Sequence, residues 1–178
     1  MPTKYKLYYL DFEGREMPFG QVPALEIDGV MLPESHAIGR YLAKKFGLIG
    51  ADDLEAAQID ALLSHFEEFF KESILPMLAG FKEGEGDKDK FYNEKFLPDC
   101  ATELPKFEKY IQDAGNGFYF KSGLTWADFQ LCHFWYFLDN AFPGFFERHP
   151  ILKQAAEKFY ELPKIKEYYE KHAHKFFP

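Results

Sequence analysis

The chain has 178 residues, of which 47% are hydrophobic and 19% aromatic, and this composition excludes an intrinsically disordered protein. The net charge of −8 argues against a nucleic-acid partner. No apolar run reaches the length of a membrane span, and the N-terminus has no signal peptide. Cys100 and Cys132 are isolated, without metal-ligand spacing, which predicts reduced, buried cysteines in a cytoplasmic protein.

The first fifty residues predict a small sheet followed by one helix. An alternating, aromatic segment predicts a strand over Tyr5–Leu10. Two further short strands are predicted over Ala24–Asp28 and Val30–Leu32, because an Asp-Gly pair between apolar runs is a strong hairpin signal. Apolar residues at helical spacing then predict a helix over His36–Phe46, which Gly47 ends.

Two features of this segment favour a binding site. A cis bond at Val22-Pro23 would direct the backbone N–H and C=O of Val22 outward, where an extended peptide could pair with them. Ser35 lies at the helix start, where its hydroxyl and the free backbone N–H groups suit a carboxylate. Together these features predict a site for a short anionic peptide. The alternative is a tight turn followed by an ordinary N-cap.

The remainder of the chain is predicted to be helical. Apolar residues at helical spacing predict a long amphipathic helix over Asp53–Ala79. A second long helix is predicted over Lys88–Gln112, with kinks or restarts at Pro98 and Pro105.

A third helix begins at Thr125, because Thr125 and Asp128 have the spacing of a capping box. It is nearly all apolar, which predicts that it forms the centre of the helical region. Two shorter helices are predicted over Pro150–Tyr160 and Pro163–His174. The aromatic residues of the third helix and of the tail, residues 175–178, either line an apolar pocket or pack in the core.

Three motifs resemble the glutathione transferases. The segment F-G-Q-V-P-A-L, then I-D-G, then L-P-E-S-H-A-I-G-R-Y-L-A is similar to the glutathione-binding half of that family. Y-K-L-Y-Y-L-D-F-E-G-R-E resembles the start of the nematode-like sigma class, and G-L-T-W-A-D-F the capping motif of the C-terminal domain. The resemblance implies an α+β, thioredoxin-like N-terminal domain over 1–47 and an all-α C-terminal domain over 54–178.

The resemblance also implies an activity and a site. The chain would conjugate glutathione to small hydrophobic electrophiles, with peroxide reduction as a further activity. Glutathione would be a co-substrate, with neither cofactor nor metal. Tyr9 would stabilise the thiolate, and Arg15 would add positive charge nearby. Glutathione would be held by Gln21, Val22, Pro23, Glu34 and Ser35, and by Glu68 of a neighbouring subunit in a homodimer. The alternatives are core packing for Tyr9 and a solvated acidic face for Glu68.

The chain departs from the family between its first strand and the turn at Val22-Pro23, called the proline turn below. A helix, a second strand and a long loop are missing there, together with a tryptophan and a lysine that bind glutathione. Eight residues separate Tyr9 from Pro18, too few for a parallel crossover. A direct loop predicts a truncated, three-stranded antiparallel sheet with one underpacked face. This departure keeps two other functions open: a non-catalytic protein that binds glutathione or hydrophobic ligands, and a structural homologue.

Overall fold

The chain forms two compact units, Met1–Ile49 and Gly50–Pro178, in a computed structural model. The structure describes residues 2–9, 17–78, 88–142 and 144–172. None of the helices in these ranges is both long and apolar enough to cross a membrane.

The N-terminal unit contains a three-stranded sheet with the order β1-β2-β3. Its strands are β1 (Tyr5–Tyr8), β2 (Ala24–Ile27) and β3 (Val30–Pro33). Both strand pairs are antiparallel, which confirms the predicted pairing of the first strand with the second. The first strand ends at Tyr8 rather than at Leu10. Tyr8 pairs with Ala24, and the ladder stops there because the preceding Pro23 has no N–H to donate.

Burial on one face of the sheet differs between the central strand and the outer strands. Leu7 and Leu25 are directly opposite each other in the ladder, so their side chains lie on the same face. Leu25 is only 4% exposed, whereas Leu7 is 59% exposed and Val30 69%. Apolar surface is therefore exposed on the outer strands β1 and β3, while the central strand β2 is buried on the same face.

Helix α1 (Ser35–Phe46) follows the sheet directly. Ile38 and Ala43 are buried on one side of it, and Lys44 and Lys45 in the last turn complement the helix dipole. Gly47 ends the helix in the left-handed conformation, with φ of 72°. These contacts fix the start of α1 beside the end of β3.

The helical unit begins with two long helices, each containing a π-helical turn. Helix α2 (Asp53–Phe69) continues through the turn Phe70–Ile74 into residues 75–78. The short helix α3 (Lys88–Phe91) continues through Tyr92–Phe96 into α4 (Leu97–Ala114).

The two prolines of the second long helix behave differently. Pro98 lies in the first turn of α4, directly after the π-helical turn Tyr92–Phe96, where the helical hydrogen-bonding pattern changes. Pro105 lies inside α4, which continues to Ala114, so the helix does not restart at this proline. The helix continues because the flanking side chains of Leu104 and Phe107 are fully buried in the core.

The third long helix, α5 (Trp126–Ala141), is the centre of the helical unit. The predicted capping box is present: the Asp128 carboxylate accepts hydrogen bonds from the Thr125 N–H at 2.7 Å and from the Tyr119 N–H at 3.1 Å. Burial raises the pKa of the Asp128 carboxyl despite these bonds. Trp135 is fully buried, and its indole Nε1 donates to the hydroxyl of Tyr119 at 2.7 Å. The apolar face of α5 therefore lies in the core, as predicted.

Three short elements complete the unit. They are a 3₁₀ turn (Phe145–Arg148), α6 (Pro150–Tyr160) and α7 (Pro163–His172). The bounds of α6 match the prediction, and the tail from residue 173 lies outside the described residues. Cys100 and Cys132 are both free and buried, as predicted.

Candidate functional site

A cleft of about 180 Å³ lies in the N-terminal unit, between the proline turn and the start of α1. Its lining brings together five of the predicted binding residues: Gln21, Val22, Pro23, Glu34 and Ser35. Phe19 and Pro33 complete it. No role was predicted for Phe19, although it is the first residue of the F-G-Q-V-P motif. The two halves of the cleft are about ten residues apart in sequence and meet because β2 and β3 form a hairpin.

The backbone on both sides of the cleft has an unusual conformation. The Val22-Pro23 bond is cis, the isomer on which the predicted peptide-binding site depends. Across the cleft, Ser35 is the first residue of α1 and Glu34 is the N-cap, so Ser35 is not an ordinary capping residue. Glu34 makes no side-chain capping bond. The Glu34 side chain therefore does not occupy the N–H groups of the first helical turn.

Glu34 has φ of 72° and ψ of 120°, a conformation that residues with a side chain rarely adopt. Its carbonyl accepts the first helical hydrogen bond, from the Ile38 N–H at 2.9 Å. Holding a non-glycine residue in such a conformation costs on the order of 1–3 kcal/mol. This strain lies within the cleft, where it positions the Glu34 side chain.

The chemistry of the cleft suits a zwitterion. The N-terminus of α1 carries the positive end of the helix dipole and backbone N–H donors, which favour a carboxylate. Among the described residues of the lining, Glu34 is the only charged side chain, and it favours an ammonium group. An α-amino acid whose amino and carboxyl groups are both free carries an ammonium group and a carboxylate on the same carbon atom. The cleft therefore has the charges to hold the amino-acid end of a peptide.

The two tyrosines at the end of β1 have different surroundings. The Tyr8 hydroxyl donates to Glu26 Oε2 at 2.6 Å, and Lys6 Nζ lies 4.4 Å from the centre of the Tyr8 ring. Tyr9 follows β1, is 54% exposed and does not line the cleft. Arg15, the other predicted catalytic residue, lies outside the described residues.

Glu68 belongs to the helical unit and is exposed on α2. There it lines a cleft of about 220 Å³ that also contains His65, Asp99 and Glu103. His65 Nε2 lies 2.7 Å from Glu103 Oε2. Although burial raises the pKa of Glu103, hydrogen bonds from Lys106 and His65 lower it below its ordinary value. In the described part of the chain, no group of three or more His, Cys, Asp and Glu residues could hold a metal ion.

Comparison with known proteins identifies the class. The family model described as glutathione S-transferase, C-terminal domain, matches residues 70–172, and the corresponding N-terminal model matches residues 7–44. The chain therefore belongs to the glutathione S-transferase family. Its architecture is that of the family: a small sheet with a helix, followed by a helical domain.

Relatives from nematodes are similar to the chain in sequence and structure. Glutathione S-transferase 1 of Ascaris suum is 38% identical over 153 residues, which are 85% of this chain and 73% of that protein. The crystal structure of monomeric Na-GST-3 from Necator americanus has a TM-score of 0.83 and 34% identity, covering 89% of this chain and 77% of its own. The structure of the Ascaris lumbricoides glutathione S-transferase has a TM-score of 0.81 and 36% identity, with the same coverage.

Proposed function

We propose that this chain is a glutathione transferase that conjugates glutathione to small hydrophobic electrophiles. The observation that carries the proposal is the cleft in the N-terminal unit, whose charges match the γ-glutamyl end of glutathione. Ser35 and the N-terminus of α1 would bind the glutamyl carboxylate, and Glu34 the ammonium group. The backbone of Val22, with Gln21 and Pro23 beside it, would bind the cysteinyl residue as an added strand.

Tyr9 is the proposed catalytic residue, with Arg15 adding positive charge. A thiol of ordinary pKa, about 8.5, is mostly protonated at neutral pH, and a phenol O–H directed at the sulfur stabilises the reactive thiolate. Tyr9 rather than Tyr8 has this role in the proposal, because the Tyr8 hydroxyl already donates to Glu26.

Several further features are part of the proposal. The domain boundaries, 1–47 and 54–178, stay predictions. So do the cytoplasmic location and the homodimer in which Glu68 contacts glutathione bound to the partner. The similar Necator americanus protein is described as monomeric. Sedimentation at micromolar concentration, with a Glu68→Ala variant tested for glutathione affinity, decides between these two states.

One observation favours a second function. Tyr9 is exposed and does not line the cleft, so a protein that binds glutathione without turnover is the alternative. In this case the residues that would bind glutathione are present, whereas the Tyr9 hydroxyl does not reach the sulfur of the bound glutathione.

The test is to measure glutathione affinity by calorimetry and turnover of a generic aromatic electrophile in two matched pairs of variants. Ser35→Ala should weaken glutathione binding about tenfold or more through loss of a charge-assisted hydrogen bond, whereas Ser64→Ala on exposed α2 should not. Tyr9→Phe should lower turnover on the order of 10²-fold at unchanged affinity, whereas Tyr8→Phe should not. If Tyr8→Phe is the inactive variant, the catalytic assignment is wrong. If the unmodified protein binds glutathione without turnover, the second function holds.

A further inference from the structure

A second cleft, of about 150 Å³, lies wholly within the helical unit, between the start of α4 and the 3₁₀ turn that follows α5. Nothing in the proposed glutathione site uses it. Its walls combine apolar and polar side chains: Tyr92, Leu97, Cys100, Phe145, Arg148 and His149.

The inner wall of this cleft is apolar and rigid. Cys100 is 2% exposed and Phe145 is 7% exposed. Burial raises the pKa of the Cys100 thiol to about 12, so it lines the cleft as a neutral, apolar group. Phe145 and Tyr92 both pack against the buried ring of Phe96, with ring centres 6.2 Å and 5.7 Å apart. A buried apolar cavity of about 150 Å³ accommodates one benzene ring in another protein, so a single ring fits this volume.

Among the residues that the structure describes, Arg148 is the available cation on the outer rim of the cleft. Arg148 forms no ion pair with the described residues. His149 is held by the Glu108 carboxylate, 3.2 Å from its Nδ1, and both side chains are mostly buried. The remaining charged group on the rim is Glu147, whose carboxylate lies next to Gly144. The guanidinium group of Arg148 can therefore bind a carboxylate through two parallel hydrogen bonds.

We propose that this cleft binds a small planar aromatic carboxylate, with its ring against the apolar wall of the cleft and its carboxylate on Arg148. The ligand lies against the helical unit alone, and its binding does not depend on glutathione. The size of the cleft selects one six-membered ring, and the position of the cation at the rim selects an acid over a neutral aromatic compound.

The test uses 4-fluorobenzoate as the probe, followed by fluorine NMR, with backbone amide shifts locating the contact. The unmodified protein should bind the probe saturably, with a Kd on the order of 1 mM, and the amides of Gly144 and Arg148 should shift. Arg148→Gln should weaken binding about tenfold or more. Ala101→Leu, which fills the cleft from an exposed position on α4, should abolish it. Lys153→Gln, a neighbouring surface cation paired with Glu157, should leave it unchanged.

Two comparisons make the outcome specific. The uncharged 4-fluorobenzamide should bind about tenfold more weakly than the acid, and saturating glutathione should not displace the probe. Absence of saturable binding overturns the proposal, as does equal binding by Arg148→Gln. Displacement by glutathione also overturns it, because the probe would then occupy the N-terminal cleft. Failure of glutathione binding in the unmodified protein would count against the proposed enzyme function only.

Discussion

The strained backbone at Glu34 can be separated from the chemistry of its side chain by three substitutions. Glu34→Ala keeps a Cβ atom in the left-handed conformation and removes the carboxylate, whereas Glu34→Gly removes both. Glu34→Gln keeps the length of the side chain and removes the charge. Relief of the strain favours glycine over alanine by about 1–2 kcal/mol, and the greater freedom of glycine in the unfolded chain offsets about 0.5–1 kcal/mol of this. The glycine variant should therefore be more stable than the alanine variant by about 1 kcal/mol.

The effect on glutathione affinity should follow the carboxylate and not the strain. Loss of a hydrogen bond to a charged group costs about 1.5–3 kcal/mol, which corresponds to a 10- to 100-fold increase in Kd. The alanine and glycine variants should lose affinity by similar amounts, and the glutamine variant should retain part of it. Calorimetry with glutathione measures all three.

Stability of the N-terminal unit requires a local probe, because both tryptophans, Trp126 and Trp135, belong to the helical unit. Hydrogen exchange of the Ile38 amide is a suitable local probe of this stability, since the Ile38 N–H donates to the Glu34 carbonyl. Slower exchange in Glu34→Gly than in Glu34→Ala is the expected result. Equal exchange in the two variants would refute the strain, and unchanged affinity in all three would refute the assignment of the cleft to glutathione.

Three further predictions concern the fold that carries the sites. Asp128→Asn should lower the free energy of unfolding by about 3 kcal/mol, because a buried N–H of Thr125 or Tyr119 then lacks its acceptor. Urea unfolding followed by tryptophan fluorescence measures this change. The control Asp113→Asn, at an exposed position, should change the free energy of unfolding by less than about 1 kcal/mol. Burial lowers the pKa of His133 below its ordinary value of 6.5, so the unfolded chain binds the proton more readily. Stability should therefore fall as the pH drops through about 6.5, and His133→Gln should remove this part of the pH dependence; an unchanged profile would contradict it. Leu7→Thr should cost less than about 0.5 kcal/mol, whereas Leu25→Thr, its cross-strand neighbour, should cost about 2 kcal/mol or more, as measured by amide exchange in β2. Similar costs would mean that this face is packed as closely on β1 as on β2.

The elements that could be predicted from the sequence are those specified by neighbouring residues. The Asp-Gly turn between β2 and β3, the capping box at Thr125 and the bounds of α6 were all predicted, because turns and caps depend on residues within a few positions. The two segments that form the cleft were also predicted, since each carries a local signal: a proline turn and a helix start. Their resemblance to one family then connected them.

The remaining features depended on contacts between residues distant in sequence. Pro105 stays inside α4 because its neighbours are buried against other helices, and no local signal reports that burial. Phe19 lines the cleft because the hairpin places the proline turn next to Glu34, and this contact has no signal in the local sequence. The aromatic cleft at Arg148 likewise joins α4 to a turn more than forty residues later. Such features depend on which helices and turns pack together in the folded chain. The order of residue types along the sequence does not specify that packing.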